Sequence, residues 1–338
     1  MSTATKQRPE AKKKAPVLDR DQFLKAYRSM RTIRSFEDKI SEEFMKGNIP
    51  GFLHLYSGQE AAGVGICELL NDDDYVVSTH RGHGHCIAKG GDVIGMMKEI
   101  MGKQGGICDG KGGSMHIADF DKGMLGANAI VGGGPPLIVG AALSAKTLGT
   151  TQVGVAFGGD GSSNQGTTFE AMNLAVVLKL PAIFFFENNG YGEGTHASYA
   201  VGSRDIAGRA AAFGMPAFKV DGTDIFAVTE VCKKAVQHCR DGKGPVTIEA
   251  SVPRFKGHFE GDPQAYRGEN EIETLMKEQD CLVIARKAAI KQKLATAAEL
   301  DKIDEEVAEL MGRATEAGLA APVPEISELM DNVYSSEY

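Results

Sequence analysis

Two short apolar runs in the middle of the chain are separated by a stretch with helical spacing. Residues 153–157 and 182–186 are uninterrupted runs of strand length, which is typical of parallel strands buried on both faces. The residues between them that share helical spacing are expected to form the inward face of a helix: Phe169, Met172, Asn173, Val176, Val177 and Leu180. The pattern predicts a strand–helix–strand crossover unit.

The same alternation continues on both sides of this unit. Further strands are predicted at residues 75–79, 217–220 and 246–252. Helices are predicted at residues 91–101, 135–148, 205–213 and 225–240. This order favours an α/β class with a doubly wound, mostly parallel sheet and helices on both faces. Extra helices are expected at the N-terminus, from Asp19, and at the C-terminus, from about residue 270.

Length and composition suit one α/β domain. The chain has 338 residues, 42% of them hydrophobic and 24% charged. We expect residues 1–18 to be a disordered basic tail and residues 19–338 to be a single domain, with its C-terminal helical extension from about residue 270. A mitochondrial transit peptide, the alternative for the tail, lacks support because no amphipathic face is present.

Charge and cysteine content limit the location and the partners. The net charge of −8 argues against a nucleic-acid partner, and no apolar run reaches membrane length. The six cysteines form no C-x-x-C pair, which is typical of reduced thiols in a cytoplasmic protein.

Polar residues follow both central strands. Asp160 lies in a G-D-G turn after the first strand, and Asn188-Asn189 follows the second. Because the carboxyl ends of parallel strands meet at one sheet edge, these groups are expected to lie together. Their oxygens are hard ligands of the kind that Mg²⁺ prefers alongside phosphate and water. Each half alone is a weak signal, since G-D-G is common in turns.

Two further segments carry candidate chemistry. Residues 80–85 hold three histidines and Arg81, which predicts a metal cluster, an anion site or a plain polar turn, and the arginine favours phosphate. Residues 105–111 resemble a phosphate-binding loop, but Gly112 replaces the required hydroxyl residue and no strand precedes them. We therefore expect the glycine-rich tract to form a backbone-lined wall for a flat ring.

The chain from about residue 21 to 286 resembles the alpha subunit of the thiamine-diphosphate-dependent dehydrogenase component of 2-oxo acid and acetoin dehydrogenase complexes. The interval between Gly161 and Asn188 matches its thiamine diphosphate motif, and the acetoin branch is the most similar. The resemblance implies a thiamine diphosphate-binding fold. It rests on linked motifs at residues 54–61 (HLYSGQEA), 80–84 (HRGHG), 110–116 (GKGGSMH), 159–166 (GDGSSNQG), 187–195 (ENNGYGEGT) and 257–267 (GHFEGDPQAYR).

The resemblance also implies roles for individual residues. Mg²⁺ would bind Asp160, the Asn189 side chain and the Tyr191 carbonyl. His258 would be the catalytic residue beside the reacting thiazolium ring. The residues implied to bind thiamine diphosphate are His80, Arg81, Ala129, Val131, Gly159, Asp160, Gly161, Ser162, Asn189, Arg254 and His258.

Partners and reaction follow from the same resemblance. A separate beta subunit would supply the glutamate that activates the cofactor, giving an α₂β₂ heterotetramer. Acetoin would be cleaved to acetaldehyde, and the hydroxyethyl group left on the cofactor would pass as acetyl to the lipoyl group of an acyltransferase partner. The alternative is oxidative decarboxylation of pyruvate.

Two alternatives come from other classes. A nucleotide-dependent oxidoreductase is disfavoured because Asn164 stands where the dinucleotide fingerprint needs its third glycine. A non-catalytic scaffold subunit is expected to have lost Asp160 or Asn189, and both are present.

Overall fold

A parallel six-stranded sheet forms the centre of the computed structural model, which describes residues 17–331 and 333. The strands are β1 (Tyr75–Val77), β2 (Met124–Gly126), β3 (Gly154–Gly159), β4 (Ala182–Asn188), β5 (Tyr191–Gly192), β6 (Thr195–His196), β7 (Ala217–Asp221) and β8 (Val246–Ser251). The sheet order is β2-β1-β3-β4-β8-β7, and every neighbouring pair is parallel. Strands β5 and β6 form a separate antiparallel ribbon. The predicted fold class is confirmed.

Helices precede, separate and follow the strands. They are α1 (Arg20–Met45), α2 (Glu60–Cys67), α3 (Gly82–Ala88), α4 (Val93–Ile100), α5 (Gly134–Leu148), α6 (Gly166–Val177), α7 (Ala197–Ala200), α8 (Ile206–Ala211), α9 (Ile225–Arg240), α10 (Glu271–Glu278), α11 (Cys281–Gln292) and α12 (Ala297–Ala320). Short 3₁₀ turns lie at Phe120–Lys122, Ser162–Asn164 and Ile326–Met330. None of the helices in the described residues combines the length and apolarity needed to cross a bilayer.

The two faces of the sheet bury two separate apolar cores. On β3, Val155 and Phe157 face one core and Ala156 faces the other. On β4, Phe185 belongs to the first core and Phe184 to the second. Helices α1, α2, α9 and α12 contribute to the first core, and α5, α6 and α8 to the second. This two-sided burial explains why β3 and β4 are continuous apolar runs.

The buried face of α6 differs from the predicted one. Its buried residues are Thr168, Ala171, Met172 and Ala175. Asn173 and Val177, which the spacing assigned to the inward face, are exposed. Small side chains allow α6 to pack close to its neighbours, and a criterion that counts only large apolar residues does not detect them.

Helix α1 is anchored at both its start and its middle. Asp19 forms a capping box with Gln22, and the apolar stripe of the helix from Phe23 to Ile40 is buried. Arg34 contacts Glu60 at 2.5 Å and Asp280 at 3.2 Å, which links α1 to the starts of α2 and α11. The predicted basic tail falls outside the described residues except for positions 17 and 18, of which Leu18 is buried.

The glycine-rich tract after α4 wraps around one buried carboxylate. Glu99 accepts hydrogen bonds from the backbone N–H groups of Cys108 (2.8 Å), Gly110 (2.7 Å), Gly112 (2.7 Å) and Gly113 (3.0 Å). The chain approaches closely here: a Cβ on Gly106 would lie 2.4 Å from Glu99 Oε2. Because an internal acid occupies these donors, the tract does not bind phosphate through them.

The change Glu99→Gln should lower the free energy of unfolding by about 2–4 kcal/mol, because the new amide group points N–H at N–H donors. Urea denaturation of the purified protein measures the loss. Glu316→Gln, on the exposed side of α12, makes the same chemical change and should cost less than about 0.5 kcal/mol. Equal effects of the two changes would contradict this account of the tract.

Candidate cofactor-binding site

The carboxyl ends of β1, β3 and β4 open into a cleft of about 380 Å³. This is the edge at which parallel sheets bind ligands. Of the predicted site residues, those that line the cleft are His80, Arg81, Ala129, Val131, Gly159, Asp160, Gly161, Ser162, Asn189, Tyr191 and His258. Arg254 does not line it, and its guanidinium carbon lies 5.7 Å from the ring centroid of Tyr191.

The turns after β3 and β4 pack directly on each other. Gly161 and Gly192 leave so little room that a Cβ on Gly192 would lie 3.3 Å from the Cα of Gly161. The Ser162 hydroxyl donates to the Gly159 carbonyl at 2.8 Å and fixes the first turn. In the second turn, Asn189 Oδ1 accepts from the Tyr191 N–H at 3.2 Å. The two halves of the predicted motif therefore meet in space.

Asp160 carries a buried carboxyl group that the protein leaves partly unsatisfied. The residue is 2% exposed, and its Oδ2 has no hydrogen-bond partner among the described residues. Burial raises the pKa of this carboxyl to about 6, against the lowering effect of Arg254. A cation at Oδ2 would supply the missing partner.

Two buried arginines lie beside the cleft without a carboxylate partner in the described chain. Arg81 donates to the carbonyls of Leu55 (2.7 Å) and His258 (2.8 Å). Arg254 is 1% exposed, and its Nε and Nη1 have no partner, while Nη2 donates to the Tyr266 hydroxyl at 2.6 Å. Burial, and then Arg254, lower the pKa of Arg81 to about 9, which still leaves it cationic at neutral pH. This pair favours an anion such as a diphosphate.

The predicted cluster at residues 80–85 is wrong in two of its three histidines. Helix α3 begins at Gly82 and turns His83 and His85 into the protein. His83 contacts Glu37 (3.1 Å) and Ser114 (2.9 Å), so it is not a ligand of the cleft.

His85 is likewise used inside the protein. It contacts Ser78 at 2.6 Å and Glu187 at 3.2 Å, and Glu187 also accepts from Tyr56. Glu187 lines the floor of the cleft, a position that sequence reasoning missed. The spacing of residues along the sequence does not by itself reveal a buried acid of this kind.

A different histidine cluster lines the cleft. The His54 ring centroid is 4.7 Å from that of His80 and 5.0 Å from that of His258, and the latter two are 5.2 Å apart. We call these three residues the histidine wall. Sequence reasoning gave His54 no role, although the HLYSGQEA motif contained it; Gln59 of the same motif also lines the cleft.

The histidine wall is uncharged at neutral pH. Burial and the nearby Arg81 lower the pKa of His54 to about 3, of His80 to about 2 and of His258 to about 4. The ring nitrogens lie within 4.8 Å of one another, as a metal site would require. However, Arg81 Nη2 is only 3.3 Å from His258 Nδ1, and its positive charge disfavours a metal cation there.

Comparison with known proteins identifies the family. The model of the "Dehydrogenase E1 component" family matches residues 28–327. The chain belongs to this family. E1 family membership implies thiamine diphosphate, and the residues of the cleft fit that cofactor: Arg81 matches its anionic end, the backbone at 129–132 offers a wall for a flat ring, and Asp160 lacks a cationic partner.

Individual E1 relatives are similar over nearly their whole length. The chain is 53% identical over 319 residues to the alpha subunit of acetoin:2,6-dichlorophenolindophenol oxidoreductase of Cupriavidus necator, covering 94% of this chain and 96% of the relative. The corresponding subunit of Bacillus subtilis is 50% identical over 319 residues (94% and 95%). The pyruvate dehydrogenase E1 component subunit alpha of Rhizobium meliloti is 40% identical over 310 residues (92% and 89%).

The raised pKa of Asp160 predicts a pH-dependent cost of folding. With a pKa of about 6 in the folded state against an ordinary 3.8, this group contributes stability that is lost as pH rises through that window. Without cofactor, Asp160→Asn should be more stable than the parent protein at pH 7.5, by ~1–3 kcal/mol. Its advantage should grow by about 1 kcal/mol between pH 5 and pH 7.5.

Urea denaturation at the two pH values measures this difference. Asp73→Asn, in the exposed turn before β1, is the matched control and should show no such pH dependence. An Asp160→Asn protein with the parent's stability at both pH values would contradict the unsatisfied carboxyl.

Proposed function

We propose that this chain is the alpha subunit of a thiamine-diphosphate-dependent acetoin dehydrogenase. The observation that carries the proposal is the 50–53% identity, over nearly the full length, to two alpha subunits named for acetoin oxidation. The pyruvate dehydrogenase relative is more distant, at 40%. Pyruvate decarboxylation is the second candidate, because the same cleft chemistry serves both substrates.

The cofactor would be held by charge at one end and by backbone at the other. Arg81 would bind its diphosphate, Arg254 would add positive charge from beside the Tyr191 ring, and Asp160, Asn189 and the Tyr191 carbonyl would bind Mg²⁺. When bound, thiamine diphosphate supplies a nucleophilic carbon for the substrate ketone. The proposal is supported by the unpartnered Oδ2 of Asp160 and the unpartnered Nε and Nη1 of Arg254.

His258 is suited to hydrogen bonding with the substrate. Arg81 Nη2 lies 3.3 Å from His258 Nδ1, and an arginine can only donate, so Nδ1 is the acceptor. In the neutral imidazole the proton is then on Nε2. That N–H would donate to a substrate oxygen and hold a proton beside the reacting carbon.

A second subunit would complete the site. Ile130 (72% exposed) and Val131 present apolar side chains in the lining of the cleft, where a beta subunit would cover them and bring its activating glutamate. The acceptor of the acetyl group would be the lipoyl group of an acyltransferase component.

Substrate choice is tested with the chain co-purified with its beta subunit, thiamine diphosphate and Mg²⁺. Reduction of an artificial electron acceptor is followed with acetoin and with pyruvate in parallel. We expect kcat/KM to be at least ~10-fold higher for acetoin, a difference of about 1.4 kcal/mol in transition-state binding. A preference for pyruvate would move the chain to the second candidate.

The metal assignment is tested separately by Asp160→Ala in the same holoenzyme. Calorimetric titration with thiamine diphosphate should show the Mg²⁺-dependent part of the affinity falling by roughly 100-fold or more, because the only charged metal ligand is removed. Asp73→Ala, in the exposed turn at the opposite sheet edge, should leave the affinity unchanged. Unchanged Mg²⁺ dependence in Asp160→Ala would rule the assignment out.

A further inference from the structure

His54 has a buried polar atom that no other group in the described chain satisfies. The residue is 8% exposed and lines the cleft, yet its Nδ1 has no hydrogen-bond partner. A buried polar atom left unpaired costs about 1–3 kcal/mol. Two other cleft atoms share this property: Asp160 Oδ2, which already has a proposed ligand, and Gln59 Nε2, which can only donate a hydrogen bond.

Aromatic neighbours fix the His54 ring in place. His80 and His258 meet it at interplanar angles of 69° and 79°, and Phe259 lies 6.3 Å away at 61°. These edge-to-face contacts restrict the rotation of the ring. The unpaired Nδ1 therefore has a fixed position beside His258.

The chemistry of the histidine wall suits a ligand with a hydroxyl group. A neutral imidazole offers one donor and one acceptor, which match a hydroxyl group. The rings are uncharged at neutral pH, because burial and Arg81 keep the pKa values of all three well below it.

We infer that His54 is a substrate-binding residue: its Nδ1 hydrogen-bonds the hydroxyl group of a 2-hydroxyketone next to His258, a contact that a 2-oxo carboxylate without a hydroxyl group does not make. The inference rests on the proposed function, since it concerns the substrate of that same site. It adds the residue that recognises the hydroxyl group.

Two variants distinguish the contribution of the His54 nitrogen from that of the His54 ring. His54→Phe keeps the aromatic packing and removes the nitrogen, whereas His54→Asn places an amide close to the Nδ1 position and removes the ring. Each is made in the holoenzyme with the beta subunit. His238→Phe, on α9 away from the cleft, is the matched control.

We expect His54→Phe to lower kcat/KM for acetoin roughly 10- to 100-fold and His54→Asn to recover most of that loss. The inhibition constant of butane-2,3-diol, which carries hydroxyl groups but no ketone, should rise by a similar factor in His54→Phe. The pyruvate rate, the inhibition constant of butanone and the affinity for thiamine diphosphate should change less than about threefold.

Three results would overturn the inference: equal loss with acetoin and pyruvate, unchanged inhibition by the diol, or weakened cofactor binding in His54→Phe. The last would place His54 on the cofactor. Failure of the proposed function looks different, since it appears in the unmodified holoenzyme as a preference for pyruvate.

Discussion

Buried charge without a protein counter-ion is the constraint on which this site depends. Asp160, Arg81 and Arg254 are all buried, and none of them forms an ion pair within the described residues. Such charges are costly in a free-standing protein, and carbonyl groups and tyrosine rings offset only part of that cost. The rigid strand ends hold them there nevertheless. The arrangement makes sense if the protein is built around an anion and a cation that arrive together.

Much of this architecture can be predicted from the sequence, because strands that are buried on both faces are continuous apolar runs. The continuous apolar runs of β3 and β4 follow from having a core on each face, and the polar residues after them necessarily meet at one edge. Strand β2 was not predicted, since its three residues lie among glycines and show no periodicity. The inward face of α6 was misassigned because alanine and threonine, rather than the larger Val177, make the close contacts.

The histidines show that residues close together in the sequence need not belong to the same site. Residues 80–85 appear as one cluster in the chain, but α3 starts at Gly82, and the helical turn points His83 and His85 into the core. The third member of the real cluster, His54, comes from a segment before α2 and reaches the cleft only through tertiary packing. His80 and Arg81 do line the cleft, and the start of the helix determines which of their neighbours in sequence lie there with them.

Glu99 determines what the backbone amides of the glycine-rich tract bind. Its carboxylate occupies a ring of backbone amides much as a phosphate occupies such a ring in nucleotide-binding loops. The segment therefore carries its own permanent anion, covalently attached and never exchanged. A glycine-rich run in a sequence therefore does not show whether its backbone amides bind a ligand. The same backbone shape can bind an external anion when no buried acid is near, and it is a fixed structural element when such an acid occupies the amides.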